Sequence, residues 1–255
     1  MRSRQLQGHV IASFGVLLGL LVVTSSGCTS KEEEASWFPL SEGRSWTYQK
    51  TWVHAGESRV SRYSIETKQL NAEEKNQIAA QVGEEASRIA LRQTSSGTRY
   101  YLASNEEGIF RVAKQVLIEK QPRFDPVPKM VLPSEVDLDV GATWEVETQP
   151  FALASTAAHI PWLPEANRFG LMYEIVDMDA TVETVAGTFQ HCIQVQGQAQ
   201  ISFYADPRLG YQDLLIQQTE WYAKGVGLVK LVRDEPLDLE MYQGGQVILE
   251  LISYQ

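Results

Sequence analysis

The sequence predicts an all-β fold: an antiparallel, curved sheet, as a half-barrel, barrel or sandwich, with little helix. Three observations predict it. The first is a period of two in hydrophobicity. From His191 to Phe203, Ile193, Val195, Ala199, Ile201 and Phe203 share one parity, interrupted by Gly197, while Gln194, Gln196, Gln198, Gln200 and Ser202 share the other. Successive strand side chains point to opposite faces, so this run has one buried and one wet face. The second is turn chemistry at short spacing, and the third is the scarcity of helical periodicity.

Taken in order, Trp46, Tyr48 and Trp52 share a face against Thr47, Gln49 and Thr51, which makes a first strand. Further strands are expected at 60–68, 87–94, 98–104 and 109–118. Others follow at 144–148, 172–185, 214–223, 228–233 and 247–254. Ser95-Ser96-Gly97, Asn105-Glu106-Glu107-Gly108, Ala186-Gly187-Thr188 and Lys224-Gly225-Val226-Gly227 supply the turn residues between neighbours. Ten or so strands joined this way form a meander. Residues 71–82 fit either a short helix capped by Asn71, with acids in its first turn, or a loop leading into a strand. The four prolines between Gln121 and Pro133 bar that stretch from the sheet interior and suit it to linking two halves of one sheet. Residues 151–168, with Pro161 and Pro164, read as a long loop with a helical turn. Gly43-Arg44-Ser45-Trp46 and Gly141-Ala142-Thr143-Trp144 echo each other: each uses glycine for a sharp entry and tryptophan for a large core contact.

The chain divides into three parts. Arg2 and Arg4 precede an uncharged apolar run from Val10 to Val23, and Thr24-Ser25-Ser26-Gly27 are small. That order is a secretory signal peptide, and the run is shorter than the roughly 20 residues a spanning helix needs. Residues 1–27 are therefore read as signal, 28–36 as Cys28 with a polar acidic tether, and 37–255 as one β-rich domain.

Gly27-Cys28 resembles the lipobox of bacterial lipoproteins, with Ser25 where that family usually has leucine. The resemblance implies lipidation of Cys28, with palmitate among its acyl chains, and several chains together make an anchor far stronger than one. Thr29 in place of aspartate implies the outer membrane, facing the periplasm. Phe38-Pro39-Leu40 with Gly43, Trp46 and Tyr48 is similar to the start of many uncharacterised bacterial lipoproteins. Ala186-Gly187-Thr188-Phe189 followed by Cys192, and the run Trp221 to Lys230 (WYAKGVGLVK), resemble their later hairpins. The likeness implies a curved antiparallel sheet, similar to the half-barrels of lipoprotein-localisation carriers.

Loss of Arg2 and Arg4 with the signal takes the formal charge from −10 to −12. An acidic chain with no basic run repels phosphate backbones, so no nucleic-acid partner is expected. If Cys28 carries lipid, Cys192 has no intramolecular partner and is a candidate free thiol. By strand parity Cys192 belongs to the polar face and His191 to the apolar one. No Gly-x-Ser-x-Gly, His-Glu-x-x-His, Walker loop or Cys-x-x-Cys occurs, and His54, His159 and His191 lack metal-ligand spacing. No catalytic residue, metal or cofactor is assigned. Trp37 and Trp162, both in loops, are the candidates to line a ligand or partner groove. The expectation is a non-enzymatic envelope module whose concave sheet meets a partner protein or an apolar ligand. One alternative is a lipid or lipoprotein carrier with an apolar cavity under residues 151–168. The other is an enzyme whose catalytic set is dispersed in sequence.

Overall fold

The computed structural model describes residues 36–54, 56–83, 86–152, 154–155, 168–239 and 242–255. The segments expected to be a signal and, before Ser36, a tether, Cys28 between them, and Trp162 lie outside the described residues. The first half of the chain gives β1 (Ser45–His54), β2 (Glu57–Lys68), a helix α1 (Ala72–Val82), β3 (Arg88–Thr94), β4 (Arg99–Asn105), β5 (Gly108–Gln115) and β6 (Arg123–Pro133). The second half gives β7 (Thr143–Thr148), β8 (Ala154–Ser155), β9 (Phe169–Thr184), β10 (Gly187–Asp206), β11 (Gly210–Ala223), β12 (Gly227–Asp238) and β13 (Tyr242–Tyr254). The chain is all-β, as expected.

Twelve strands form one antiparallel path in the order β6-β5-β4-β3-β2-β1-β13-β12-β11-β10-β9-β7, with β8 pairing β13 beside it. The sheet is a nearly closed barrel. The first strand therefore lies mid-path, paired on one side with β2 and on the other with β13, from Trp46↔Tyr254 to His54↔Gly245. One apolar cluster joins Ala90, Leu102 and Leu132 to Trp144, Ile175, Ile193 and Tyr222. Those residues come from both arms of the path, which can meet only if the sheet curls onto itself. Both arms bury one face in this shared interior, and burial of their side chains is the main force for closure.

Two features of the pattern explain themselves in the structure. Gly43 and Gly141 both adopt positive φ, at 83° and 91°, just before β1 and β7, a conformation that costs glycine nothing. Each turn delivers a buried tryptophan, Trp46 or Trp144, to the core. Gly197, the break in the alternation of β10, is where the Tyr173 ring comes in. A Cβ there would stand 2.9 Å from that ring.

Asn71 does cap a helix. Its side chain accepts from the Glu74 backbone N–H while Glu74 reaches back to the Asn71 N–H, a reciprocal capping box. The helix seats Ile78 on the outer face of β3–β5, against Leu91, Tyr101 and Ala103.

Residues 121–133 correct the expectation of a link between half-sheets. Residues 123–133 are themselves a strand, at the end of the path. The prolines are tolerated because β6 is an edge. The ladder to β5 pairs Ala113 with Phe124 and Arg111 with Lys129, skipping the stretch that holds Pro126 and Pro128. At the other end of the path, β7 pairs, among the described residues, only with β9. The two edges approach without a backbone ladder. Lys129 on β6 donates to the Glu147 carbonyl on β7 instead.

Candidate functional site

Cys192 is where strand parity fails. Between β9 and β10 the register runs Phe189↔Val182 and then Cys192↔Ala180, so Gln190 and His191 together oppose Thr181. This is a β-bulge, and His191 sits in it at φ 56°. The extra residue inverts the faces. His191 turns out to solvent and pairs its Nδ1 with Asp179. Cys192 turns in, fully buried beside Trp46, Tyr48, Val229 and Leu251. It has no disulfide partner among the described residues, and burial pushes its thiol up to about 11. The polar-face position expected for it is thus corrected: the thiol is free but sealed in apolar packing, and weakly nucleophilic there.

Trp37 lies half-buried against the main core, with the Lys224 ammonium 5.6 Å from its ring. It borders a small groove with Ile109 and Leu138. The adjoining segment closes one mouth of the barrel. Phe38 and Leu40 are buried, and the Arg92 guanidinium stacks 3.8 Å from the Phe38 ring and 4.3 Å from Trp46. Arg92 also donates to the Pro39 carbonyl at 2.7 Å, and burial lowers its pKa to about 10. Trp46 Nε1 bonds the Val226 carbonyl at 2.7 Å, and the Gly225 N–H bonds the Ser36 carbonyl at 2.8 Å. Trp37 and Trp162 are not brought together by anything described, since Trp162 lies outside the described residues.

The barrel interior carries a polar thread that no sequence signal announced. Arg233 and Glu235, both fully buried on β12, pair through Nε at 2.7 Å. Arg233 also donates to Gln218 at 2.9 Å and to the Gln149 carbonyl at 3.2 Å. Glu235 accepts the backbone N–H groups of Phe151 at 2.8 Å and Ala152 at 2.7 Å. The Phe151 ring covers the guanidinium at 4.3 Å. Beyond Gln218, the Glu220 carboxyl takes hydrogen bonds from Gln218 and Tyr222, and burial raises its pKa despite them. The pair therefore fastens the segment after β7 to the inside of the barrel, with its charges and their hydrogen bonds largely satisfied.

Above that segment, where β6 approaches β7, is a cleft of about 290 Å³. Its cations come from three places in the chain: Arg111 and Lys114 on β5, Arg123 and Lys129 on β6, and Arg168 just before β9. Arg111 grips Asp125 with two parallel bonds of 2.8 Å. Glu147 faces Arg168 at 3.0 Å and Lys129 at 3.6 Å, and Arg123 has Glu119 at 3.7 Å. Lys114 has no carboxylate within 4 Å among the described residues. Its ammonium lies 6.0 Å from the Tyr100 ring. Burial and the neighbouring guanidinium of Arg111 lower the pKa of both Lys114 and Lys129. These residues are far apart in sequence, so no basic run marks them. The spacing of Arg111 and Lys114 is not a simple alternation either, because the β4–β5 and β5–β6 registers shift around them.

Among the described residues, no group of three or more His, Cys, Asp and Glu side chains converges as a metal site, and no helix is long and apolar enough to cross a membrane. No protein-family model and no curated protein matches the chain. Two solved structures superpose along most of its length. A candidate lipoprotein from Parabacteroides distasonis ATCC 8503 shares 16% identity, covers 86% of this chain and 98% of its own, and gives a TM-score of 0.37. A candidate exported protein with a YmcC-like fold from Bacteroides fragilis NCTC 9343 shares 15% identity, covers 87% and 99%, and gives the same TM-score of 0.37. At that TM-score the likeness carries no functional weight.

Proposed function

We propose that the chain is a lipid-anchored lipoprotein of the bacterial cell envelope, held at the outer membrane facing the periplasm by acyl chains on Cys28. Its barrel is a non-enzymatic binding or interaction module. The observation that carries the reading is the way the chain enters the barrel. Ser36 to Leu40 is fixed in one mouth by Arg92 and the 224–227 turn, only eight residues after Cys28. Eight extended residues span at most about 30 Å. An anchor on Cys28 therefore holds that mouth close to the bilayer and turns the opposite end away from it.

Two features favour a binding module over the alternatives. The core clusters fill the inside of the barrel with side chains, where a carrier would need an open apolar cavity. The buried Arg233, Glu235 and Gln218 are already spent on one another and on the 149–152 segment. Metabolic labelling with palmitate tests the anchor: label is expected on the wild-type chain and lost in Cys28→Ala. Equal labelling of the two would remove the anchor and the orientation with it.

A further inference from the structure

We propose that the cleft between β6 and β7 is a binding site for a phosphoryl group, presented by a lipid headgroup or as free phosphate. The inference deepens the binding-module reading by naming the ligand class, yet stands on the cleft whether or not Cys28 carries lipid.

The charge inventory comes first. The chain as a whole is formally −10, so a local excess of cations runs against the composition. With Arg123 and Glu119 taken as a balanced pair, four cations remain around the cleft: Arg111, Lys114, Lys129 and Arg168. They face two carboxylates, Asp125 and Glu147. The surplus of two positive charges among the described residues matches a phosphate monoester, which carries about −1.5 to −2 at neutral pH.

The second point is where the surplus sits. Asp125 is already committed to Arg111, and Glu147 to Arg168 and Lys129. Both lysines are partly buried, with 15% of the Lys129 side chain exposed. A half-buried ammonium with no carboxylate in contact is costly. Two neighbouring guanidiniums, Arg111 and Arg123, add to the cost at Lys114, and the carboxylates of Glu119 and Asp125, each paired with an arginine, offset only part of it. An oxyanion in the cleft would relieve it, bonded by Lys114 and by guanidinium N–H groups. The third point is access. The cleft lies where the sheet has no backbone ladder, so a ligand can enter without breaking a strand pair.

The test uses the full chain in neutral detergent micelles, with calorimetric titration of two probes. Inorganic phosphate represents the free source and dioctanoyl phosphatidate the lipid source. Dioctanoyl phosphatidylcholine controls for partition into the micelle. Binding of inorganic phosphate, at least tenfold weaker in Lys114→Gln, supports a free-phosphate site. Binding of phosphatidate alone, with the same dependence on Lys114, supports a headgroup site. Both should weaken as salt rises. Arg59→Gln, at an exposed position on β2, should bind as wild type. Lys114→Gln must keep the wild-type near-ultraviolet spectrum and melting temperature. If it does not, Lys114→Arg, which keeps the charge, should retain binding. Absence of binding by both probes, or equal affinity in Lys114→Gln and wild type, overturns the proposal. Loss of palmitate in Cys28→Ala has no bearing on it, so the two readings fail separately.

Discussion

The sheet meets itself in two places, and they are built from different chemistry. Where β1 meets β13, backbone bonds run the length of the strands, and an apolar cluster that includes Tyr48, Leu251, Val229 and the buried Cys192 packs beside them. Where β6 meets β7 there is no ladder, and charged side chains span the gap. A ladder consumes its polar groups along one line and leaves the side chains free to pack. A side-chain latch keeps the edges apart, admits solvent and leaves charge available. The first junction is fit for stability and the second for recognition.

The largest blow to the second junction should come from beneath it. Arg233→Met leaves Glu235 buried without its cation and loosens residues 149–152, for an expected loss of about 3–5 kcal/mol of folding stability. Urea denaturation measures this, and a loss under 1 kcal/mol would show that the pair is not what fastens the segment. Next in size is the ladder junction. Leu251→Ala empties space beside Cys192 and should cost about 2–5 kcal/mol. It should also speed alkylation of the Cys192 thiol, which is protected in the wild-type fold. A protected thiol in this variant would separate Cys192 from the junction. The smallest effect belongs to the latch. Lys129→Met removes one partly exposed charged bond, worth about 1 kcal/mol. Cys192 should stay as protected as in wild type. Faster alkylation there would mean that the two junctions open together, and the contrast between them would fall.

Much of this was legible in the sequence. The alternation in 191–203 marked the buried face of β10 because burial on one side of a strand writes itself with period two. The capping box at Asn71 and the glycine before each strand-opening tryptophan are local chemistry and were equally visible. What escaped was everything set by register. One extra residue opposite Thr181 exchanged the faces of His191 and Cys192. Pro126 and Pro128 excluded residues 121–133 from the interior but said nothing against an edge. The cleft was beyond reach for a third reason: Arg111, Lys114, Lys129 and Arg168 become neighbours only when the sheet curls, and nothing local records curvature. Cys28 and Trp162 fall outside the described residues, so their own surroundings are not among what the fold displays.

The position of β1 in the middle of the path has a consequence for how the chain reaches this state. Its partner strand on one side is β2, available at once, but on the other it is β13, made nearly two hundred residues later. A chain emerging from its N-terminus can build the β1–β6 arm as hairpins, yet one edge of β1 stays unpaired until residues 246–254 appear. Contacts of such long sequence separation are closed late and slowly, and unsatisfied strand edges are what chains aggregate through. Assembly of this barrel therefore awaits synthesis of its C-terminal strand. Truncations that remove β13 should fail by aggregation, with β1 as the exposed edge.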